Sequence, residues 1–262
     1  MKKYELTEES IQLFDRTLYR IKALIDIPSI NVKKGDLGGF VESERNLSQE
    51  GNCWMADEAI VFGEAKVFGA ARVFGEARVF GEARVYGEAE VYGEARVFGE
   101  ARVFGEAEVY GEARVYEAAG VFRAARVYGE ARVYGEARVY GEARVYGEAR
   151  VYGEAEVYGE ARVFGEARVY GEAKVYGEAR VFGEALVTKT SDYLTISPIG
   201  SENDVLTAFK DKEGKIFINR GCYTGTIEEF EQRVKEVHGE NKYGLVYLNH
   251  LTTIKLQLHT EA

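Results

Sequence analysis

Small and apolar residues alternate with polar or aromatic ones through the middle of the chain. In the hexad Gly-Glu-Ala-Arg-Val-Tyr, Ala and Val fall on one side of an extended backbone, and Glu, Arg and the aromatic fall on the other. From residue 57 to residue 188 such hexads follow one another in an unbroken frame, about 22 of them. Each predicts a short strand ended by a bend at Gly, which takes positive φ without steric cost. Glu, Ala and Arg would also suit a helix. Val with Phe or Tyr in every hexad favours strand, however, and the recurrent Gly would cost a helix about 1 kcal/mol each time. One strand and bend buries nothing alone. Three of them closing a triangular coil of 18 residues bury the Ala/Val face, and coils stacked about 4.8 Å apart pair their backbones. The pattern therefore predicts a mainly β protein, a triangular parallel β-helix of about seven coils and about 35 Å in length.

The flanks do not repeat. Residues 1–56 read as an N-terminal capping segment over a strand edge that would otherwise aggregate. Tyr19 to Ile27 and Phe40–Val41 are its expected covering strands, with Leu47, Cys53, Trp54 and Met55 as an apolar plug. Residues 57–188 are the solenoid, and residues 189–262 a small α+β C-terminal domain. There, Leu206 to Lys210 and Lys215 to Asn219 flank Asp211-Lys212-Glu213-Gly214, a hairpin signal. Thr226-Ile227-Glu228-Glu229 is a capping box opening a helix that runs to His238. His250 falls on a second helical stretch, Ile254, Leu256 and Leu258 alternate as a closing strand, and His259 lies near the terminus.

Composition narrows the function. Hydrophobic residues make up 46% of the chain, enough for a core, and 30 Gly against 2 Pro resembles neither collagen nor a loose linker. A net charge of −10 argues against a general nucleic-acid or anionic-membrane binder. Cys53 and Cys222 match no metal spacing and suit a reduced, cytoplasmic chain. The opening MKKYELTEESIQLF lacks the apolar core of a signal peptide, and no stretch reaches the apolar length of a membrane span.

On the outer surface, residues 18 apart should stack. Tyr116, Tyr134, Tyr152 and Tyr170 then share one side, Tyr140 and Tyr158 a second, and Tyr128 and Tyr146 a third. Arg ladders run beside them, and diagonal pairing with the corner Glu would offset their repulsion at about 0–1 kcal/mol per pair. Glu90, Glu108 and Glu156 at Arg positions dilute the positive charge further, and the interleaved Glu argues against single-stranded nucleic acid. The aromatic columns read as stabilising, with a repetitive docking surface as the alternative. Around Glu117 to Ala124 the Gly-Glu and Arg positions are lost while Ala, Val and the aromatic stay in frame, so the interior is what the pattern protects. In the tail, Gly221-Cys222-Tyr223-Thr224-Gly225 is a tight decorated turn. It is the candidate partner contact, or else a plain connection into the helix.

Val-x-x-x-Ala-x at period six resembles the hexapeptide-repeat, left-handed parallel β-helix superfamily, which includes acyltransferases and γ-class carbonic anhydrases. The left hand is an implication of that resemblance. GDLGGFVESERNLSQEGNCWMADEA, Gly35 to Ala59, resembles the lead-in of a bacterial and prophage family of β-solenoid proteins often labelled acetyltransferase-like. NRGCYTGTIEEFEQRVKEVHGENKYG, Asn219 to Gly244, resembles a small tail domain recurrent in phage-encoded proteins. These imply a phage or prophage origin, in the bacterial host cytoplasm or the phage particle. The superfamily's acyltransferases typically use a catalytic His, and its carbonic anhydrases hold zinc with three His from neighbouring coils and subunits. Here His238, His250 and His259 all lie in the tail, and no hexad carries an insertion. The scaffold carries over without the catalytic residues. Ser191 and Ser197 have no His/Asp partners in view, and Gly38-Gly39 is not followed by a phosphate-binding Lys-Ser/Thr. The expectation is a non-enzymatic spacer or scaffold with no catalytic residue, metal or cofactor, presenting a C-terminal adaptor to a protein partner or to its own copies rather than to a small molecule. Two alternatives stand: an acyltransferase-like enzyme, trimeric like its relatives, and a phage-encoded protein that sequesters a host factor or ligand. Monomer and homo-oligomer are both left open.

Overall fold

The alternation along each hexad becomes inside and outside of a coil. In the computed structural model, which describes residues 2–258, every hexad Val and Ala between Ala59 and Val187 is buried. Strands pair in parallel with those 18 residues away, in strict register: Val97 lies between Val79 and Val115. Backbone bonds run from coil to coil along each side, as where Arg96 N donates to the Ala113 carbonyl at 2.9 Å and Phe98 N to the Val115 carbonyl at 3.0 Å. Gly turns most corners, with Asp57, Glu117 and Arg123 at three of them. Gly135 has φ +72°, and a Cβ there would sit 2.8 Å from Gly153 N in the next coil, so both handedness and stacking exclude a side chain. Three parallel sheets result, a β-solenoid of about eight turns.

That is one turn more than the hexads supply. Phe40–Val41 pair in parallel with Ile60–Val61, Leu47 bridges to Val67, and Trp54–Met55 pair with Arg72–Val73. Much of the expected cap is therefore the first coil, and the boundary at residues 56/57 falls inside the solenoid. Val41 to Leu47 keeps the hexad step, but the step from Leu47 to Met55 is longer, which hides the frame in the sequence.

The cap proper is a hairpin. Tyr4–Leu13 pairs antiparallel with Arg16–Ala23, which pairs antiparallel with Leu37–Val41 and so extends one solenoid sheet. Leu18, Phe40 and Ile60 form its small core. Arg20 lies 4.2 Å from the Phe40 ring centroid and ion-pairs with Glu9 at 2.7 Å and Glu58 at 2.9 Å. The expected plug of Leu47, Cys53, Trp54 and Met55 is buried. It is tied to the hairpin by Tyr4, whose hydroxyl donates to the Leu47 carbonyl at 2.6 Å, and by Lys3, whose Nζ donates to the Cys53 carbonyl at 2.8 Å. Burial pushes the Tyr4 phenol up.

After the last coil come four antiparallel strands, Tyr193–Ile199, Asp204–Lys210, Ile216–Arg220 and Tyr223–Thr226, adjacent in that order. They are followed by helices α1 (Ile227–His238) and α2 (Lys242–Leu258). Alternation sorts the second strand between two cores. Leu206 and Ala208 join the helices, while Phe209 joins the solenoid interior. The expected hairpin is present across Asp211 to Gly214, and Thr226 caps α1, its hydroxyl accepting from Glu229 N at 3.3 Å. The expected closing strand at Ile254, Leu256 and Leu258 is instead the end of α2. Tyr247, Leu251, Ile254 and Leu258 are buried at helical spacing, and Leu256 is 77% exposed. His250 lies on α2 as expected, and His259 falls outside the described residues.

Candidate functional site

Strict register brings the outer aromatics into columns. Tyr116, Tyr134, Tyr152 and Tyr170 stack with centroids 4.8 to 4.9 Å apart and planes within 5°. Tyr128 and Tyr146 stack at 4.8 Å, and Tyr140 and Tyr158 at 5.0 Å. Each ring within a column covers the faces of its neighbours. Burial, with help from a neighbouring carboxylate, pushes the phenols of Tyr140 and Tyr92 up to about 12. Tyr140 donates to Glu156 at 2.7 Å. Two columns end on the tail, where Tyr193 meets Tyr176 edge-on at 6.3 Å and Phe209 meets Phe182 edge-on at 5.0 Å. The diagonal Glu–Arg pairs expected here are not the ones that form among the described residues. The inserted glutamates pair along the ladder: Glu108 with Arg126 at 3.2 Å, Glu156 with Lys174 at 3.5 Å, and Glu90 with Arg72. A Glu at an Arg position sits directly above or below cations at strand spacing, closer than a corner Glu can reach.

The tail segment Gly221–Gly225 divides. Gly221 and Cys222 make the turn, but Tyr223, Thr224 and Gly225 belong to the edge strand, opposite Arg220, Asn219 and Ile218. Asn219 clips the connection, its Nδ2 donating to the Tyr223 carbonyl and the Thr224 hydroxyl, both at 3.1 Å. Between this turn and α1 lies a cavity of about 290 Å³. Cys222, exposed, and Tyr223, half-buried, line one side. Phe230 from α1 and Tyr247 from α2 make an aromatic wall, with Tyr223–Phe230 at 5.0 Å and Phe230–Tyr247 edge-on at 5.6 Å.

Two cations line the same cavity. Arg220 has its guanidinium 5.9 Å from the Tyr247 ring centroid, and its Nε is buried without a hydrogen-bond partner. Arg233 is exposed on α1 and makes no ion pair among the described residues. Burial, then Glu229, raises the Tyr223 phenol; burial raises that of Tyr247, with Arg220 opposing. Sequence reasoning found the turn and missed Arg220, Phe230, Arg233 and Tyr247. The capping box sets the phase of α1, so Phe230, Arg233 and Val234 were readable as neighbours on one face. Tyr247 was not, because the end of α2 reads as a strand.

Two further cavities hold none of the expected contact residues. One of about 400 Å³ lies by Leu37, Trp54 and Phe74, and one of about 690 Å³ lies by Tyr176, Thr190 and Thr195 where tail meets solenoid. No described helix is long and apolar enough to cross a membrane.

Fold and surface together define a β-solenoid repeat protein carrying a small α+β unit at its C-terminal end. A family model described as YdcK beta solenoid repeat matches residues 125–141 and 137–153, within the hexads. No curated protein matches the chain.

Proposed function

We propose that the solenoid is a non-enzymatic, rigid spacer that holds the C-terminal unit at a set distance from the N-terminal hairpin. The observation that supports it most is the join at the far end. A tethered domain would hang on a flexible linker. Here Phe209 enters the solenoid core, Arg180 N donates to the Thr207 hydroxyl at 3.1 Å, and Lys212 ion-pairs with Glu184 at 2.7 Å. The connecting residues are tied as well, since the Asp192 carboxylate accepts from Thr188 N at 2.8 Å and Lys189 N at 2.9 Å. Burial alone would raise that carboxyl, but a bond from the Thr188 hydroxyl at 2.7 Å and these two backbone bonds hold it below its ordinary value. Such a join fixes orientation as well as distance.

The non-enzymatic part of the reading rests on His238, His250 and His259 all lying in the tail and on hexads without insertions. The phage-type part rests on the resemblances of Gly35 to Ala59 and Asn219 to Gly244. The test is a pulsed electron-spin distance measurement on the full chain, labelled at Cys222, which is exposed, and at Phe14→Cys on the tip of the hairpin, while Cys53 stays buried and unlabelled. A rigid spacer gives one narrow distance distribution. A broad or multiple distribution contradicts it, and turnover of acetyl-CoA by the full chain would contradict the non-enzymatic part.

A further inference from the structure

We propose that the cavity between the Gly221–Cys222 turn and α1 binds a carboxylate carried on an aromatic or branched apolar group, about the size of one amino-acid residue. The inference stands apart from the spacer reading. At about 290 Å³ the cavity is at the lower limit of small-molecule sites, too small for a nucleotide cofactor and large enough for one side chain with its acid group. Exposed Val237 and half-buried Tyr223 offer the apolar contact, over a floor of buried Phe230, Val234 and Tyr247.

The charges select the other part. Arg220, Arg233 and His238 line the cavity and no carboxylate does, in a chain whose net charge is −10. The nearby acids lie outside its lining. Glu229 accepts from Thr226 N at 2.8 Å as part of the helix cap, and Asp204 accepts from Val205 N at 2.8 Å. Glu202, 76% exposed, makes a long ion pair with Arg220 at 3.9 Å, one that an entering acid would have to displace or share. The buried Nε of Arg220 is left with no acceptor. That atom is closed off from solvent, and the other N–H groups of the guanidinium, on a side chain that is 20% exposed, are where a carboxylate in the cavity would bind. The planar guanidinium fork matches a planar carboxylate, and a second arginine at the exposed rim adds attraction as the acid enters.

Cys222 on the cavity wall supplies the readout. Alkylation of Cys222 in the full chain by iodoacetamide, a neutral reagent, is followed by intact mass, with buried Cys53 unreactive. N-acetylphenylalanine, phenylacetate, N-acetylphenylalaninamide and inorganic phosphate are compared as protectants. The expected result is protection by the acids, with the amide about tenfold weaker, the loss typical of a hydrogen bond to a charged group. Stronger protection by N-acetylphenylalanine identifies the source as a polypeptide C-terminus, and stronger protection by phenylacetate identifies it as a free small acid. Arg233→Met, at an exposed position, should weaken the acids and leave the amide unchanged, and Arg220→Met should do so more strongly. Equal protection by acid and amide, protection by phosphate as strong as by the acids, no protection at all, or acids indifferent to both arginine variants would each overturn the proposal.

Discussion

At one corner of the coil, after Tyr116, glutamate stands where the hexad has glycine. Glu117 holds φ +58°, a conformation that costs an L residue about 1–2 kcal/mol. Its carboxylate returns some of that by accepting from Gly135 N, one coil on, at 2.8 Å. Asp57 does the same for Gly75 N at 3.0 Å. Glu117→Ala keeps the strained backbone and loses the bond, and should cost about 1 kcal/mol in urea unfolding. Glu117→Gly loses both and should fall within about 0.5 kcal/mol of the parent. A Glu117→Ala variant as stable as the parent would show that the bond contributes nothing, and one as stable as Glu117→Gly that the strained backbone costs nothing. The break in the pattern was visible in the sequence. Its compensation was not, because residues 117 and 135 become neighbours only once the coil has closed.

Between elements, the pairing of α1 with α2 is pinned by Glu231, which accepts from Lys235 on its own helix and from Lys255 on the other, both at 2.6 Å. Those two bonds, the Lys235 bond first, draw its carboxyl down to about 2. The folded value is below the unfolded one, so this stabilisation is complete above the unfolded pKa of about 4.3 and is lost as pH falls toward 2. Glu231→Gln should cost at most about 1 kcal/mol near neutral pH, since the pair is partly exposed. The gap between variant and parent should close through that acid window in unfolding followed by helical circular dichroism. A gap that persists at the acid end would mean Glu231 acts by packing and not by charge. In the solenoid the comparable unit is the column. Tyr134, stacked between Tyr116 and Tyr152, should cost about 1–3 kcal/mol when changed to Ala, from two lost ring contacts; a loss well under that would make the columns ornamental.

These elements differ in how far the sequence exposes them. The columns and the Ala/Val core follow from a period that every coil repeats. The helix cap at Thr226 is local chemistry. The end of α2 reads as a strand because Ile254, Leu256 and Leu258 alternate over a short stretch, and only the longer run from Tyr247 shows the helical spacing that packing selects.

For the molecule as a whole, coils are interchangeable in sequence and stack by the same contacts, so length should be additive. The first coil and the join to the tail were illegible for one reason. Both are built where the repeat stops, from long-range contacts such as Trp54–Met55 with Arg72–Val73 and Phe209 with Phe182, for which no local pattern exists. The tail cavity likewise draws on the turn, α1 and α2 at once. The most direct measurement removes one full coil, residues 129–146, from the doubly spin-labelled chain and compares the distance between positions 14 and 222. A rigid spacer keeps a single narrow distribution, shortened by about 4.8 Å at most along the stacking axis, one strand spacing. Deleting only residues 129–134 should instead swing the tail by about a third of a turn, because a single hexad is one side of the triangle. An unchanged distance after the full-coil deletion, or a distribution that broadens, would contradict a length set by the number of coils.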